Sequence, residues 1–575
     1  GRHFPEAGLL GLESEPYTAA DMIAIGRLGG MDVNWPIYRD LAALWGTPAF
    51  EAAYRRLAAA GADGPPHVPL AHDRFEALLE LFARRGSNAF AVAPRRSATG
   101  GALFAADPHL SLALPGVWIA AGLRSPDFTA VGLMPLGVPV IAIGRNARLA
   151  WGGTNLHSAT SDLYDVSALP ARDIASRPTR IRTRFWFDDD RTIRETPYGP
   201  VISDAAVLDL PGRMLALRWA GHLPTDEITA MLRIARAPTP RAFHDALASF
   251  GQPPQTMVFA FAGGHVGETF ATTQSAHERF DAASFIRAPG DGDASWGRLV
   301  TARDLPLIVD PPEGIVVSAN DRPARAAAPL GFTFAGNGRA RRIAELLQSR
   351  SRLSPADLMA IQRDTLSHEA ARLARSLMAE IDALGLRAAA PALAARLDAW
   401  DGSYDAASTG APAFETLLYH LLPALHGAAS PATLSPIEAE WEMIVAHLAA
   451  DLQALPVAER KRLLTGALKA AERDCAHLPD WGAMHRMPIA HHLAAIPLIG
   501  GFFDYGDYPA GGSRQTPMKT AHGLIDRPTP VDFGSSARFV ADMSGPDETW
   551  LVLFGGQDGW LGSDTIAKLA HLFLE

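Results

Sequence analysis

Over residues 18–60 the apolar positions recur at three- and four-residue spacing, and Thr18 stands as an N-cap ahead of AADMIAIGRL. This predicts helices. A Gly/Pro-rich break follows at Gly61–Pro66, and then the amphipathic stretch HDRFEALLELFARR, residues 72–85, runs straight into Gly86-Ser87. From Ser87 the texture changes to short apolar runs: NAFAVA, ALFAA, VWIAAGL, FTAVGLM, PVIAIG and LAWGGT. Gly, Pro and Asp separate them, as between successive strands of a large sheet. In MVFAFAGGHVGETFA the pair Gly263-Gly264 lies between two such runs and predicts a hairpin. Helical spacing returns over residues 339–475, in segments such as RRIAELLQS and HEAARLARSLMAEIDAL. After about residue 490 the chain goes back to Gly-rich turns and short strands, ending in TWLVLFGGQDG and a helix-like tail. The pattern predicts an α+β fold whose two strand-rich blocks share sheets. It contains no internal repeat and no low-complexity tract.

Composition narrows the classes. A chain of 575 residues with 48% hydrophobic and 20% charged residues has ample material for a large core. No apolar run reaches about 18 residues, so a membrane span is not expected. A formal net charge of −10 without a long basic run argues against nucleic acid as the main partner. Cys475 is the only cysteine, which excludes an intrachain disulfide and a cysteine-built metal site; its setting, AAERDCAHLPDW, reads as a helix end. The chain opens on Gly1 and shows no signal-peptide pattern.

Common catalytic signatures are missing: there is no G-x-S-x-G elbow, H-E-x-x-H, Walker A lysine loop or EF-hand loop. FAGNGRA has two glycines without the strand–turn–helix setting of a dinucleotide site. Adjacent His491 and His492 point in different directions and have no carboxylate at ligand spacing. The junction R-R-G-S-N-A-F-A-V-A-P, residues 84–94, remains. It resembles the processing site of the penicillin acylase family of N-terminal nucleophile hydrolases, in which a Gly-Ser bond is cut autocatalytically and the β-chain begins Ser-Asn. Ser87 and Asn88 match that start. Cleavage there also makes chemical sense. A serine hydroxyl is a weak nucleophile without a base, and cutting before Ser87 frees an α-amino group with an ordinary pKa of about 7.7–8.0. One residue then supplies nucleophile and base.

The resemblance continues along nearly the whole chain. DPHL, residues 107–110, places His109 where the family has a polar residue beside the nucleophile. Penicillin G acylases carry glutamine there; cephalosporin and acyl-homoserine lactone acylases carry histidine. The implied role of His109 is to orient or polarise Ser87. LAWGGTN implies that Asn155 lends a backbone N–H to an oxyanion hole, and VSAND implies that the Asn320 side chain is the second donor. GRARRI resembles the family's R-x-x-R-I helix start, with Arg339 holding the asparagine and the free amine. LDAWDGSYDAAST, WGAMHRMP, GGSRQT, SSARFVADM and FGGQDG follow in the family's order.

The resemblance implies a four-layer αββα core with a helical excursion. Residues 1–86 would be the later part of an α-chain plus the linker to the cleavage site, and 87–338 the β-chain's nucleophile sheet region. Residues 339–480 would be the helical excursion and 481–575 the return to the core sheets. Family α-chains carry more residues ahead of GLLGLESEPYT, whereas 86 residues precede Ser87 here. Calcium is bound between the two chains in several relatives. Asp162 matches one carboxylate ligand, but Ala159 stands in place of another acid and Tyr38 near the α-chain glutamate, which weighs against calcium. No cofactor is required by the chemistry. The implied activity is hydrolysis of a linear amide of an N-acyl small molecule, by a heterodimer of the two fragments in the periplasm or outside the cell. An unprocessed binding homologue and an acyltransferase of the same fold are the alternatives.

Overall fold

The computed structural model of the chain describes residues 16–60 and 86–574, with Gly8 and Gly11, except for 184–185, 206–211, 325, 327, 532 and 561. The expected break at Gly61–Pro66 and the amphipathic stretch 72–85 lie outside the described residues.

Two antiparallel sheets face each other, with seven strands each among the described residues. The first is centred on β1 (Gly86–Val92) and β2 (Leu103–Ser111). Strand Ile315–Ser318 flanks β1, and the late strands Phe533–Ser535 and Ala537–Asp542 both pair with β2. The two strand-rich blocks therefore do share a sheet. The second sheet holds β3 (Trp118–Ser125), β4 (Phe128–Pro135), β5 (Ile143–Arg145) and β6 (Leu149–Asn155), continued by Gln255–Phe261, Val266–Ala271 and Leu307–Val309.

β1 is buried on both faces, which is why NAFAVA reads as an unbroken apolar run instead of an alternating one. Alternate residues nonetheless go to different layers. Ala89, Ala91, Phe104 and Ala106 meet Ala150, Val258 and Ala260 between the sheets. Phe90, Val92, Leu103 and Ala105 meet Ile343, Leu347, Leu358 and Ile361 from helices Gly338–Gln348 and Pro355–Gln362. On the far side, Trp151, Met257 and Phe259 pack under helices Glu227–Ile234 and Pro240–Ala246. Helix, sheet, sheet, helix: the αββα layering is complete.

Thr18 caps helix Ala19–Gly29, with Asp21 completing a capping box. Helices Trp35–Leu44 and Pro48–Ala60 bury Tyr38, Phe50, Tyr54 and Leu57 against Phe332 and Met443. The Gly263-Gly264 turn closes as expected: Gly264 takes φ +97° and the Phe261 N–H donates to His265 O at 2.8 Å. Helices His368–Ala383 to Val457–Cys475 gather around their own core, in which Cys475 is buried at a helix end.

Candidate active site

The bond expected to be cut lies inside a strand. Gly86 pairs with His109, Ser87 with Pro108 and Asn88 with Asp107 across β1 and β2. By strand parity the Ser87 side chain belongs to the inter-sheet side, while Asn88, Asp107 and His109 face the helix layer. Ser87 is 6% exposed, and its hydroxyl donates to the Gly86 carbonyl. The Ser87 backbone N–H donates to Asn320 Oδ1 at 2.9 Å.

Asn320 follows strand Ile315–Ser318 with φ 70°, a left-handed conformation that asparagine tolerates better than most residues. The turn aims both ends of its amide. Oδ1 faces Ser87, and Nδ2 donates to the Asn155 carbonyl, 3.0 Å away at the end of β6. One of the two Nδ2 hydrogens is used there, leaving a second donor. Gln255 Nε2 fixes the Asn155 side chain at 2.9 Å.

Arg339 is fully buried in the first turn of helix Gly338–Gln348. Its Nη1 donates to Asn88 Oδ1 (2.7 Å) and Ser87 O (3.1 Å), and its Nη2 to Ala319 O (2.8 Å) and Asn320 Oδ1 (3.2 Å). Its Nε donates to Gln515 Oε1 at 2.9 Å, and Gln515 in turn reaches Glu442 in the helical excursion at 3.0 Å. The planar fork thus joins β1, the Asn320 turn and the GGSRQT loop in one rigid set.

His109 is fully buried, and its Nε2 pairs with Asp107 Oδ2 at 2.8 Å rather than with the serine hydroxyl. Asn88 Nδ2 and Ser535 Oγ donate to the same Asp107 oxygen, at 3.0 and 3.1 Å. Burial pushes the Asp107 carboxyl up to about 8 against the pull of Arg538, Ser535 and Arg339. Burial, then Arg339, Lys519 and Arg538, hold His109 well below the usual imidazole range, so it is neutral at pH 7.

The sequence brings Gly86, Ser87, His109, Asn155, Asn320 and Arg339 together, and the fold places them side by side, with His109 bonded to Asp107 instead of the serine hydroxyl. It did not single out Asp107, Gln255, Lys519, Gln515, Glu442 or Ser535. Asp107, Gln515 and Ser535 stand inside the DPHL, GGSRQT and SSARFVADM motifs; the others carry no local signal.

Asp162 lies apart from this group. It accepts from Trp296 Nε1 at 2.7 Å and pairs with His277 Nε2 at 3.2 Å and Arg287 Nε at 3.4 Å. Ala159 and Tyr38 are buried nearby in the fold. Calcium takes six to eight oxygens, and a carboxylate facing indole, imidazole and guanidinium nitrogens does not fit that set. Asp162 is an internal ion-pair acceptor. A second buried carboxylate, Asp32, ties the N-terminal helices to the loop after β6 by accepting from Thr160 N (3.1 Å) and Thr160 Oγ1 (3.0 Å).

With the Ser87 strand, the asparagine turn and the arginine in place, comparison with known sequences is decisive: the profile of the penicillin amidase family matches residues 2–575. The chain belongs to the penicillin amidase family. It is accordingly an amide hydrolase acting on linear carbon–nitrogen bonds. It is 30% identical to penicillin acylase 2 proenzyme of Pseudomonas sp. (strain SE83), over 96% of this chain and 77% of that protein. To the acyl-homoserine lactone acylase QuiP of Pseudomonas aeruginosa it is 28% identical, over 78% of this chain and 61% of that protein. The fold is similar to that of the thermostable penicillin G acylase from Alcaligenes faecalis, with TM-score 0.59 and 18% identity over 85% of this chain and 94% of that one. Within the penicillin amidase family, then, this member carries His109 opposite Gly86 and surrounds Asp162 with indole, imidazole and guanidinium nitrogens.

Proposed function

We propose that the chain is a precursor that cuts itself between Gly86 and Ser87 and then hydrolyses an N-acyl amide with Ser87 as nucleophile. In the first stage Ser87 Oγ bonds to the Gly86 carbonyl carbon. The C–N bond breaks, the Ser87 nitrogen takes the hydroxyl proton, and water hydrolyses the resulting ester. Residues 1–86 and 87–575 remain together as two chains.

The observation that carries this reading is the bond from the Ser87 nitrogen to Asn320 Oδ1, 2.9 Å, beside the Arg339 guanidinium. After cleavage that nitrogen is an α-amino group, held by the same oxygen. A neighbouring cation favours its neutral form, so it can take the Ser87 proton as the hydroxyl adds to a substrate carbonyl. The second Nδ2 hydrogen of Asn320 and the Asn155 N–H serve the oxyanion; losing one such donor costs about 10²–10³ in rate. The amine leaves with the proton, and water releases the acid from the acyl ester. His109, neutral and tied to Asp107, positions the strand end at Gly86 and takes no proton in these steps. The substrate class is an N-acyl compound with an acyl side chain, as the names of penicillin acylase 2 and the acyl-homoserine lactone acylase suggest. Asp162 serves with Arg287, His277 and Trp296 around it and without calcium.

Denaturing gel electrophoresis with N-terminal sequencing tests the proposal. The purified protein should give a large fragment beginning Ser-Asn-Ala-Phe. Ser87→Ala should give one uncut band and no amide hydrolysis. Hydrolysis by the uncut Ser87→Ala chain would remove Ser87 from the role of nucleophile.

A further inference from the structure

Both stages proposed above begin with Ser87 Oγ adding to a carbonyl carbon. In the precursor that carbon belongs to Gly86. The Gly86 Cα therefore stands where the acyl α-carbon of a substrate stands later, and its surroundings describe a subsite.

A Cβ built on Gly86 would lie 3.3 Å from His109 Nδ1, 3.5 Å from Asn320 Oδ1 and 3.5 Å from Lys519 Nζ. These three polar atoms come from β2, from the Asn320 turn and from the segment before strand Thr520–Ala521. His109 is 0% exposed, and its Nδ1 is buried without a hydrogen-bond partner among the described residues. Lys519 is only 7% exposed. A buried polar atom left unmatched is costly, and this one is aimed at the Gly86 backbone. No side chain on Gly86 fills the space.

We infer that His109 Nδ1, Lys519 Nζ and Asn320 Oδ1 form a polar subsite for a hydroxyl on the acyl α-carbon, making 2-hydroxyacyl amides the preferred substrates. The inference rests on the two-stage serine chemistry proposed above. A hydroxyl has one donor and two acceptor positions and rotates to suit. It accepts from the Lys519 ammonium and bonds His109 Nδ1 in either tautomer. A methyl in the same place would crowd all three atoms and leave His109 Nδ1 unmatched. A 2-ammonio group would meet Lys519 as a like charge. With the acyl chain in the place of the Gly86 nitrogen and the hydroxyl in the place of Cβ, the fitting enantiomer is (R).

The test uses the processed protein and four p-nitroanilides that share one leaving amine: butanoyl, (R)-2-hydroxybutanoyl, (S)-2-hydroxybutanoyl and (R)-2-aminobutanoyl. The (R)-hydroxy compound should exceed its enantiomer in kcat/KM by at least about tenfold, one bidentate polar contact's worth. The (R)-amino compound should fall below the unsubstituted one. Lys519→Met should bring the (R)/(S) ratio towards one, and Lys519→Arg should keep part of it. Equal rates for the two enantiomers would overturn the subsite, as would an unchanged ratio in Lys519→Met. Should the chain stay uncut and hydrolyse none of the four, the acylase reading itself fails, and that result differs from cleavage without enantiomer preference.

Discussion

Asp107 carries three bonds on one oxygen, to Asn88, His109 and Ser535, in a place where burial keeps its proton on. Its carboxyl moves from the ordinary 3.8 up to about 8 on folding. The folded chain then holds a proton that the unfolded chain releases, so stability falls as pH rises through that window and levels off above about 8. His109 acts in the other direction: its folded value is depressed, so its contribution is lost as pH falls below the ordinary 6.5. Of these two groups, Asp107 sets the slope between about pH 6.5 and 8. Calorimetry on the uncut Ser87→Ala chain should show a melting temperature that drops by a few degrees across that window. Asp107→Asn in the same background should flatten the drop; an unchanged slope would assign it to another group. At this scale the sequence was informative where chemistry and backbone coincide. Ser87-Asn88, Asn320 and Arg339 each stand in a short motif. The pairing of His109 with Asp107 was hidden because it depends on strand parity, which turns His109 to the helix layer and the serine side chain to the inter-sheet layer.

Elements were legible where their period was long or their turn was explicit. Thr18 capped its helix, and Gly263-Gly264 made its hairpin. Helices Glu227–Ile234 and Pro240–Ala246 were not foreseen, because eight and seven residues give too few turns for a period to emerge within a strand-rich block. PVIAIG shrank to the three-residue strand Ile143–Arg145 for a related reason, as its first residues pack under those helices instead of pairing. Helix Gly338–Gln348 is the element on which the site depends most. Ile343 is fully buried against β1 and β2 while Arg339, one turn earlier, holds Ser87, Asn88 and Asn320. Ile343→Ala should therefore cost about 2–5 kcal/mol in denaturant unfolding. It should also slow self-cleavage, read as the uncut fraction on a gel over time. Loss of stability with cleavage at full speed would separate the helix anchor from the site.

At the scale of the molecule, the four-layer order was within reach of the sequence once the late strands were seen as a second block for one sheet. The nitrogen surroundings of Asp162 were only half visible. Ala159 and Tyr38 announced missing oxygens, but Arg287 and His277 lie far from Asp162 in sequence and reach it only through the fold. Removing Arg287 leaves a nearly buried carboxylate short of its cation, at a cost of about 3–5 kcal/mol. Arg287→Ala should thus melt lower, while chelator or added calcium should leave the melting temperature of the parent chain unchanged. A calcium-dependent rise in the parent would contradict this arrangement.

The position of Gly86 inside a strand has one more consequence. A cut at the proposed bond, within β1, would keep the shape while losing the connection, and folding would cease to be a property of one molecule. Residues 16–60 would then be held by Asp32, Arg56 and the aromatic cluster around Phe332, without a covalent link. Unfolding of a protein cut there would release two solutes, and its return would require them to meet. Its melting temperature should rise with protein concentration, whereas that of the Ser87→Ala chain should not. Once processed, the protein carries the memory of its own synthesis and cannot repeat it.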